Sequence, residues 1–329
     1  MDHQSNPIDH STLQRFLTDT VWPVPISDWG YVDEDRSVSF QSFLNWIERG
    51  DHGSLSYLSD HRAVLREKIT NYFPNFKSGL VFLFDYGHGP DFTSRSGPKM
   101  ARYALNFQGY DYHLILKDVL NQIGRFLQTH SPALQFVTSL DIHPVLERDL
   151  AYRAGLGWFG KNSMLIHQQK GSMFIIASLL LNQSFNFPKR VYATDHCGTC
   201  RACVEACPTH AIDEKTRTLK SQQCISTFTI ELFKDAPAPS GYKNAGQWIF
   251  GCDICQQVCP WNRRETILNQ TDLTSQQENL KHFFLDRSIE QIITEIEGMS
   301  NNAFERKFKQ TSLARTGRLG VLKNIKAYL

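Results

Sequence analysis

Apolar residues fall in two rhythms along this chain. Gly79 to Asp85 (Gly-Leu-Val-Phe-Leu-Phe-Asp) and Met173 to Leu181 are short, nearly unbroken apolar runs, as buried strands require. Leu134 to Ile142 predicts a further strand. Leu116, Val119, Leu120, Ile123, Phe126 and Leu127 recur at three- and four-residue spacing, which predicts an amphipathic helix over Leu114 to Leu127. Phe40, Phe43, Leu44 and Ile47 share that spacing, and Glu147 to Ala154 reads as another helix. Strands alternating with helices predict an α/β domain ending near Phe185, with 186–189 as a linker. After Trp261 the chain turns polar and helical, with Ile289, Ile292, Ile293 and Ile296 on one apolar face.

The cysteines change this picture most. All eight lie between Cys197 and Cys259. That clustering reads as metal ligation in a reducing compartment and not as disulfide staples. Cys197-x2-Cys200-x2-Cys203-x3-Cys207-Pro208 is the bacterial ferredoxin run, in which the fourth thiolate reaches the other cluster. Cys224 stands alone, and Cys252-x2-Cys255-x3-Cys259-Pro260 closes the set. The ferredoxin crossover gives Cys197, Cys200, Cys203 and Cys259 to one [4Fe–4S] cluster and leaves Cys207, Cys224, Cys252 and Cys255 for a second. The competing reading is a pair of four-cysteine zinc sites, although zinc favours separated C-x2-C knuckles. Two clusters conduct electrons, so the residues upstream are expected to hold what receives them.

Charge and composition narrow the class further. With 329 residues, 41% of them hydrophobic, and a formal net charge of +2, the chain reads as an ordinary globular protein of two or three units. Between Asn301 and Leu329 seven basic residues (Arg306, Lys307, Lys309, Arg315, Arg318, Lys323, Lys326) face one acid, Glu305, which suggests a polyanion contact or a solvated helix face. No basic start leads into an apolar core, and Met173 to Leu181 is too short to span a bilayer. A soluble, cytoplasmic, monomeric protein without membrane contact is the expectation.

Two glycine and histidine motifs fail on context. Gly155-Leu-Gly157-Trp-Phe-Gly160 matches the dinucleotide fingerprint, but a helix precedes it where a strand is required. Asn162 follows Gly160-Lys161 where a Walker A loop needs Ser or Thr. The bend is left as a place where backbone approaches some large ligand. Asp141-Ile-His143 begins like the Asp-x-His-x-x-Gly cobalt-ligating signature, but Leu146 stands in place of the glycine. His143 therefore reads as a packed histidine, and Asp111-Tyr112-His113 is set aside on the same ground. Asp141, at the end of an apolar strand, reads either as a half-buried general acid held protonated near neutral pH or as a helix N-cap.

Five segments together resemble the epoxyqueuosine reductases: Met100 to Ala104 with Asp111-Tyr-His113; Asp141 to Arg148; Ala154 to Asn162; Ile249 to Gln256 running on to Asn262; and Cys224-Ile-Ser226 with Thr229-Ile-Glu231. The resemblance implies a nitroreductase-like, reductive-dehalogenase-like α/β cobalamin domain over 1–185. It further implies a ferredoxin-like two-cluster module over 186–265 and a helical, basic, tRNA-contacting segment over 266–329. It makes Asp141 the proton donor. Arg102, Tyr103, Asp141, Lys161, Asn162, Ser163 and Gly251 become cofactor contacts, with cobalamin bound base-off and no protein histidine on cobalt. Epoxyqueuosine in tRNA would be reduced to queuosine by cob(I)alamin fed through two [4Fe–4S] clusters from an electron donor the sequence does not name. Arg263, Arg264 and the basic tail would hold anticodon-stem phosphates. The rivals are a small-molecule reductive dehalogenase and a ferredoxin-type carrier.

Overall fold

The computed structural model describes residues 8–87, 89, 97–233, 235–262 and 272–329. Its centre is a four-stranded sheet of β1 (Ile26–Val32), β2 (Ser78–Asp85), β3 (Phe136–Ser139) and β4 (Phe174–Leu181), in the order β1-β2-β4-β3. Every pairing is antiparallel, from Asp85 opposite Phe174 to Ser139 opposite Ser178. The mixed helix and sheet content agrees with the sequence. The antiparallel pairing is a finding the run of elements did not specify.

β2 lies between β1 and β4 and is covered on both faces, which is why its sequence shows no alternation. Leu80, Val81, Phe82, Leu83 and Phe84 are all fully buried, each contributing about 1.5–3 kcal/mol by leaving water. One face carries the helix Tyr112–His130 through Leu116, Val119, Leu120, Ile123 and Leu127. The other carries Glu147–Arg153 through Leu150 and Ala151. Gly30 of β1 lets that second helix come close, since a Cβ there would lie 2.5 Å from the Ala154 carbonyl oxygen. The stretch 186–189 is irregular yet pinned, because buried Phe187 packs edge-on against Trp29 and Tyr31.

The cysteine-bearing segment packs its short helix Ala202–Ala206 against Ile254–Gln257. The chain then ends in four helices, Ser275–Phe284, Ile289–Glu297, Asn301–Lys307 and Leu313–Lys326, the last broken at Gly317. Ile289, Ile292, Ile293 and Ile296 are buried as the pattern predicts, in a core shared with Met100, Leu105, Ile249 and Phe250. No helix among the described residues is long and apolar enough to cross a membrane.

Candidate active site and cluster cavities

The eight thiols sort into two cavities. Cys197, Cys200, Cys203 and Cys259 line one of about 220 Å³. Cys207, Cys224, Cys252 and Cys255 line another of about 210 Å³. This is the partition the ferredoxin crossover predicts. Each cavity offers room for a cluster, whereas a lone zinc ion draws its four sulfurs to about 2.3 Å. Burial pushes the Cys203 thiol up to about 11, helped by Cys259, Cys197 and Cys200 beside it. Burial and Cys252, Cys224 and Cys207 likewise hold the Cys255 thiol well above its ordinary value. Four such groups become thiolates together only around a compensating cationic centre, so the donor set fits iron–sulfur clusters.

The first tetrad spans an exposed Cys200 and a buried Cys259, while the four cysteines of the second are each partly covered. Trp158 meets His196 and Trp261 edge to face beside the first tetrad. Lys161 Nζ donates to the carbonyls of Gly198 at 2.9 Å and Cys200 at 3.0 Å. Its ammonium is thus engaged with the first-tetrad loop. Asn162, buried, reaches the Cys255 carbonyl at 3.4 Å and so spans the two cavities. Ser163 sits at φ 67° and its hydroxyl accepts from Arg148 at 2.6 Å. Gly155 closes against the Arg190 side chain and Gly157 against the Ile166 carbonyl.

Arg102 and Tyr103 join the second cavity to the sheet. The Arg102 amide donates to Asp253 at 2.7 Å, and its guanidinium to the Gly87 carbonyl at 3.2 Å. Tyr103 lines the second cavity. Its ring meets that of Tyr112 edge-on at 5.8 Å. Gly251, at φ 68°, donates its amide to Thr229 at 2.9 Å and would collide with Ala101 if it carried a Cβ.

Asp141 stands beyond Tyr112. The helix after it begins at Glu147 with Leu146 as its cap. Asp141 is therefore not an N-cap. Instead Tyr112 donates to its Oδ2 through a short hydrogen bond, and His113 Nε2 lies 2.5 Å from its Oδ1. Its carboxyl remains 51% exposed. Burial pushes Asp141 up, but His113, Tyr112 and Arg315 outweigh it and hold the carboxyl below its usual range. The expectation of a resting protonated carboxyl is corrected: its partners donate to the anion. Glu147 is the carboxyl held neutral, pushed up to about 8 by burial and by Asp141. Its Oε1 has no hydrogen-bond partner among the described residues. Tyr57 and Glu231 complete the surroundings, 3.5 Å apart. His143 folds back on Leu140 and packs on Tyr72, the packed histidine expected.

The sequence set aside His113 and gave no role to Tyr57 or Glu147. Their signal was faint: Asp111-Tyr-His113 opens a helix, which orients three polar side chains at one end of the sheet.

Known proteins supply the rest. Residues 66–141 match the sequence model of the family described as epoxyqueuosine reductase QueG, DUF1730. Residues 196–262 match the 4Fe-4S double cluster binding domain, which removes the zinc reading. The epoxyqueuosine reductase of Cyclobacterium marinum is 35% identical over 285 residues, 85% of each chain. This chain belongs to the epoxyqueuosine reductase family. That of Escherichia coli is 32% identical over 82% of this chain and 70% of its own. The Streptococcus thermophilus epoxyqueuosine reductase superposes with a TM-score of 0.76 at 22% identity, over 96% of this chain and 80% of its own. A further epoxyqueuosine reductase, solved with an epoxyqueuosine-modified tRNA stem loop, superposes at 0.75 and 23% identity, covering 97% and 80%. Family membership makes this chain a reductase, so the ferredoxin-type carrier is set aside.

Proposed function

We propose that this protein reduces epoxyqueuosine to queuosine in tRNA, with electrons entering at the first cluster, crossing to the second, and reaching a cobalamin beside Asp141. The observation that carries the reading is the unbroken line from the second tetrad's cavity through Tyr103 and Tyr112 to a half-exposed carboxylate. The second cavity is taken up by its cluster, with apolar walls from Ala101, Tyr103, Met164, Ile225 and Ile254, so a corrinoid would lie outside it, between the Tyr103 wall and the Asp141 carboxyl. Arg102, Tyr103, Gly251 and Asp141 would hold the cofactor, with Asn162 and Ser163 shaping the loop behind it. When bound, cobalamin supplies the two-electron reduction of the substrate carbon. The protein's part is to orient the nucleoside and to give a proton at Asp141 Oδ1 or Oδ2 to the oxygen being removed.

The test is anaerobic turnover with cluster-reconstituted protein, a low-potential reductant and RNA carrying epoxyqueuosine. Queuosine should form with added cobalamin and not without it. Equal formation in both would contradict the cobalamin assignment, and formation in neither would contradict the activity.

A further inference from the structure

The two oxygens of Asp141 face different donors, Tyr112 on Oδ2 and His113 on Oδ1. The far nitrogen of the His113 ring, Nδ1, lies 2.7 Å from Asp111 Oδ1. The other Asp111 oxygen is 3.5 Å from Arg315 Nε. One imidazole is thus clamped between two carboxylates, Asp141 at the mouth of the site with 51% exposure and Asp111 inside with 12%. A ring with a carboxylate at each nitrogen donates at both, which is the imidazolium form.

We propose that His113 is the proton store of this site, passing its Nε2 proton to Asp141 Oδ1 as Asp141 protonates the substrate oxygen, and refilling from water. Asp111 positions the ring; burial pushes its carboxyl up, but the bonds from the His113 ring and amide, with Arg315 beside them, hold it ionised. This rests on the reading that Asp141 is the acid. The step moves one proton and no electrons: the N–H bond of His113 breaks, an O–H bond forms on Asp141, and the O–H bond of Asp141 breaks toward substrate. His113 is left neutral until water returns the proton. Removing an epoxide oxygen as water consumes two protons, so the store is used and refilled within a turnover.

A store is needed because a lone carboxyl near its ordinary pKa of about 4 carries a proton in only about one molecule in a thousand at pH 7. The charged and titratable groups around His113 are Asp111, Asp141, Tyr112, His143 and Arg315, with Glu231, Tyr57 and Glu147 reaching Asp141. Burial pushes the imidazolium down, but the hydrogen bonds to Asp111 and Asp141 outweigh it and hold His113 up to about 9. The store is therefore loaded below that pH and emptied above it.

His113→Gln keeps an N–H directed at Asp141 but cannot titrate. Single-turnover rates are measured from about pH 5.5 to about 9.5 on protein loaded with clusters and cobalamin, under excess reductant. Wild type should lose rate only near and above pH 9. His113→Gln should lose it from the carboxylate range upward, about tenfold per pH unit, reaching roughly 10²–10³-fold at pH 7. A pH-independent loss, or no loss, overturns the store. Asp141→Asn keeps the two readings apart. Full turnover by Asp141→Asn removes the acid itself, whereas a slow Asp141→Asn beside a His113→Gln profile shaped like wild type removes only the store. A second readout needs no turnover. Diethyl pyrocarbonate modifies neutral imidazole, and labelling of His113, followed by peptide mass spectrometry, should stay low until near pH 9. In Asp111→Asn the rise should move toward neutrality, and superimposable curves for the two proteins overturn the clamp.

Discussion

Asp141→Asn keeps the size of the side chain and an acceptor oxygen for one of the two donors, His113 or Tyr112, but it cannot deliver a proton. We expect this variant to bind cofactor and tRNA, to be reduced normally, and to form queuosine about 10²–10⁴-fold slower under saturating reductant. Near-wild-type turnover would take Asp141 out of the reaction. The thiols make an independent prediction. Cys207 is adjacent in sequence to the first tetrad but lines the second cavity, and Cys259 does the reverse. By electron paramagnetic resonance, Cys207→Ser should impair the second cluster and Cys259→Ser the first. Equal loss of both signals in each variant would contradict the crossover. The cysteines were legible because ligand spacing is itself chemistry. His113 was not, since its role depends on which strand end its helix start meets. Lys161 was marked by the motif, and the fold adds what its ammonium touches, the Gly198 and Cys200 carbonyls of the first-tetrad loop.

At the scale of elements, Gly30→Ala tests how the second helical layer is seated. The added Cβ would lie 2.5 Å from the Ala154 carbonyl, a backbone atom that cannot rotate away. Overpacking of this kind costs about 1–3 kcal/mol. A lower Tm should follow, and an unchanged Tm would mean that β1 and the Glu147–Arg153 helix are less tightly registered than described. Most elements were legible from periodicity. Gly79 to Asp85 became Ser78–Asp85, and Leu114 to Leu127 became Tyr112–His130. The strand expected over Leu134 to Ile142 pairs only over Phe136–Ser139, and it is the unpaired remainder that sets Asp141 free to meet His113. β1 was missed because its sequence, Ile-Ser-Asp-Trp-Gly-Tyr-Val, mixes polar and apolar residues without alternation. The antiparallel order lay beyond local pattern altogether, since it depends on long connections.

Across the whole molecule, the basic C-terminal stretch is less of an open arm than its composition suggests. Lys307 pairs with Glu295, Lys326 with Glu297 and Arg315 with Asp111. Arg318 bonds Asn301, and Lys323 the carbonyls of Phe228 and Leu232. Arg306 and Lys309 are left as exposed cations there. Arg263 and Arg264, also expected on phosphate, lie outside the described residues. Removing 301–329 would strip Phe304, Phe308, Leu313 and Ile325 from a shared core, so point variants are the sounder probe. If both cations contact phosphate, Arg306→Gln with Lys309→Gln should reduce the slope of log affinity for tRNA against log salt by about two. An unchanged slope would assign tRNA binding to another face.

The central claim joins clusters, cofactor and nucleoside in one electron path, and one experiment reads all three. Protein carrying both clusters and cobalamin is reduced, freed of excess reductant without oxygen, and mixed with RNA bearing epoxyqueuosine. The iron–sulfur absorbance should return to its oxidised form in step with queuosine, about two electrons for each nucleoside converted. Clusters that stay reduced while queuosine forms, or that reoxidise with no queuosine, would contradict it.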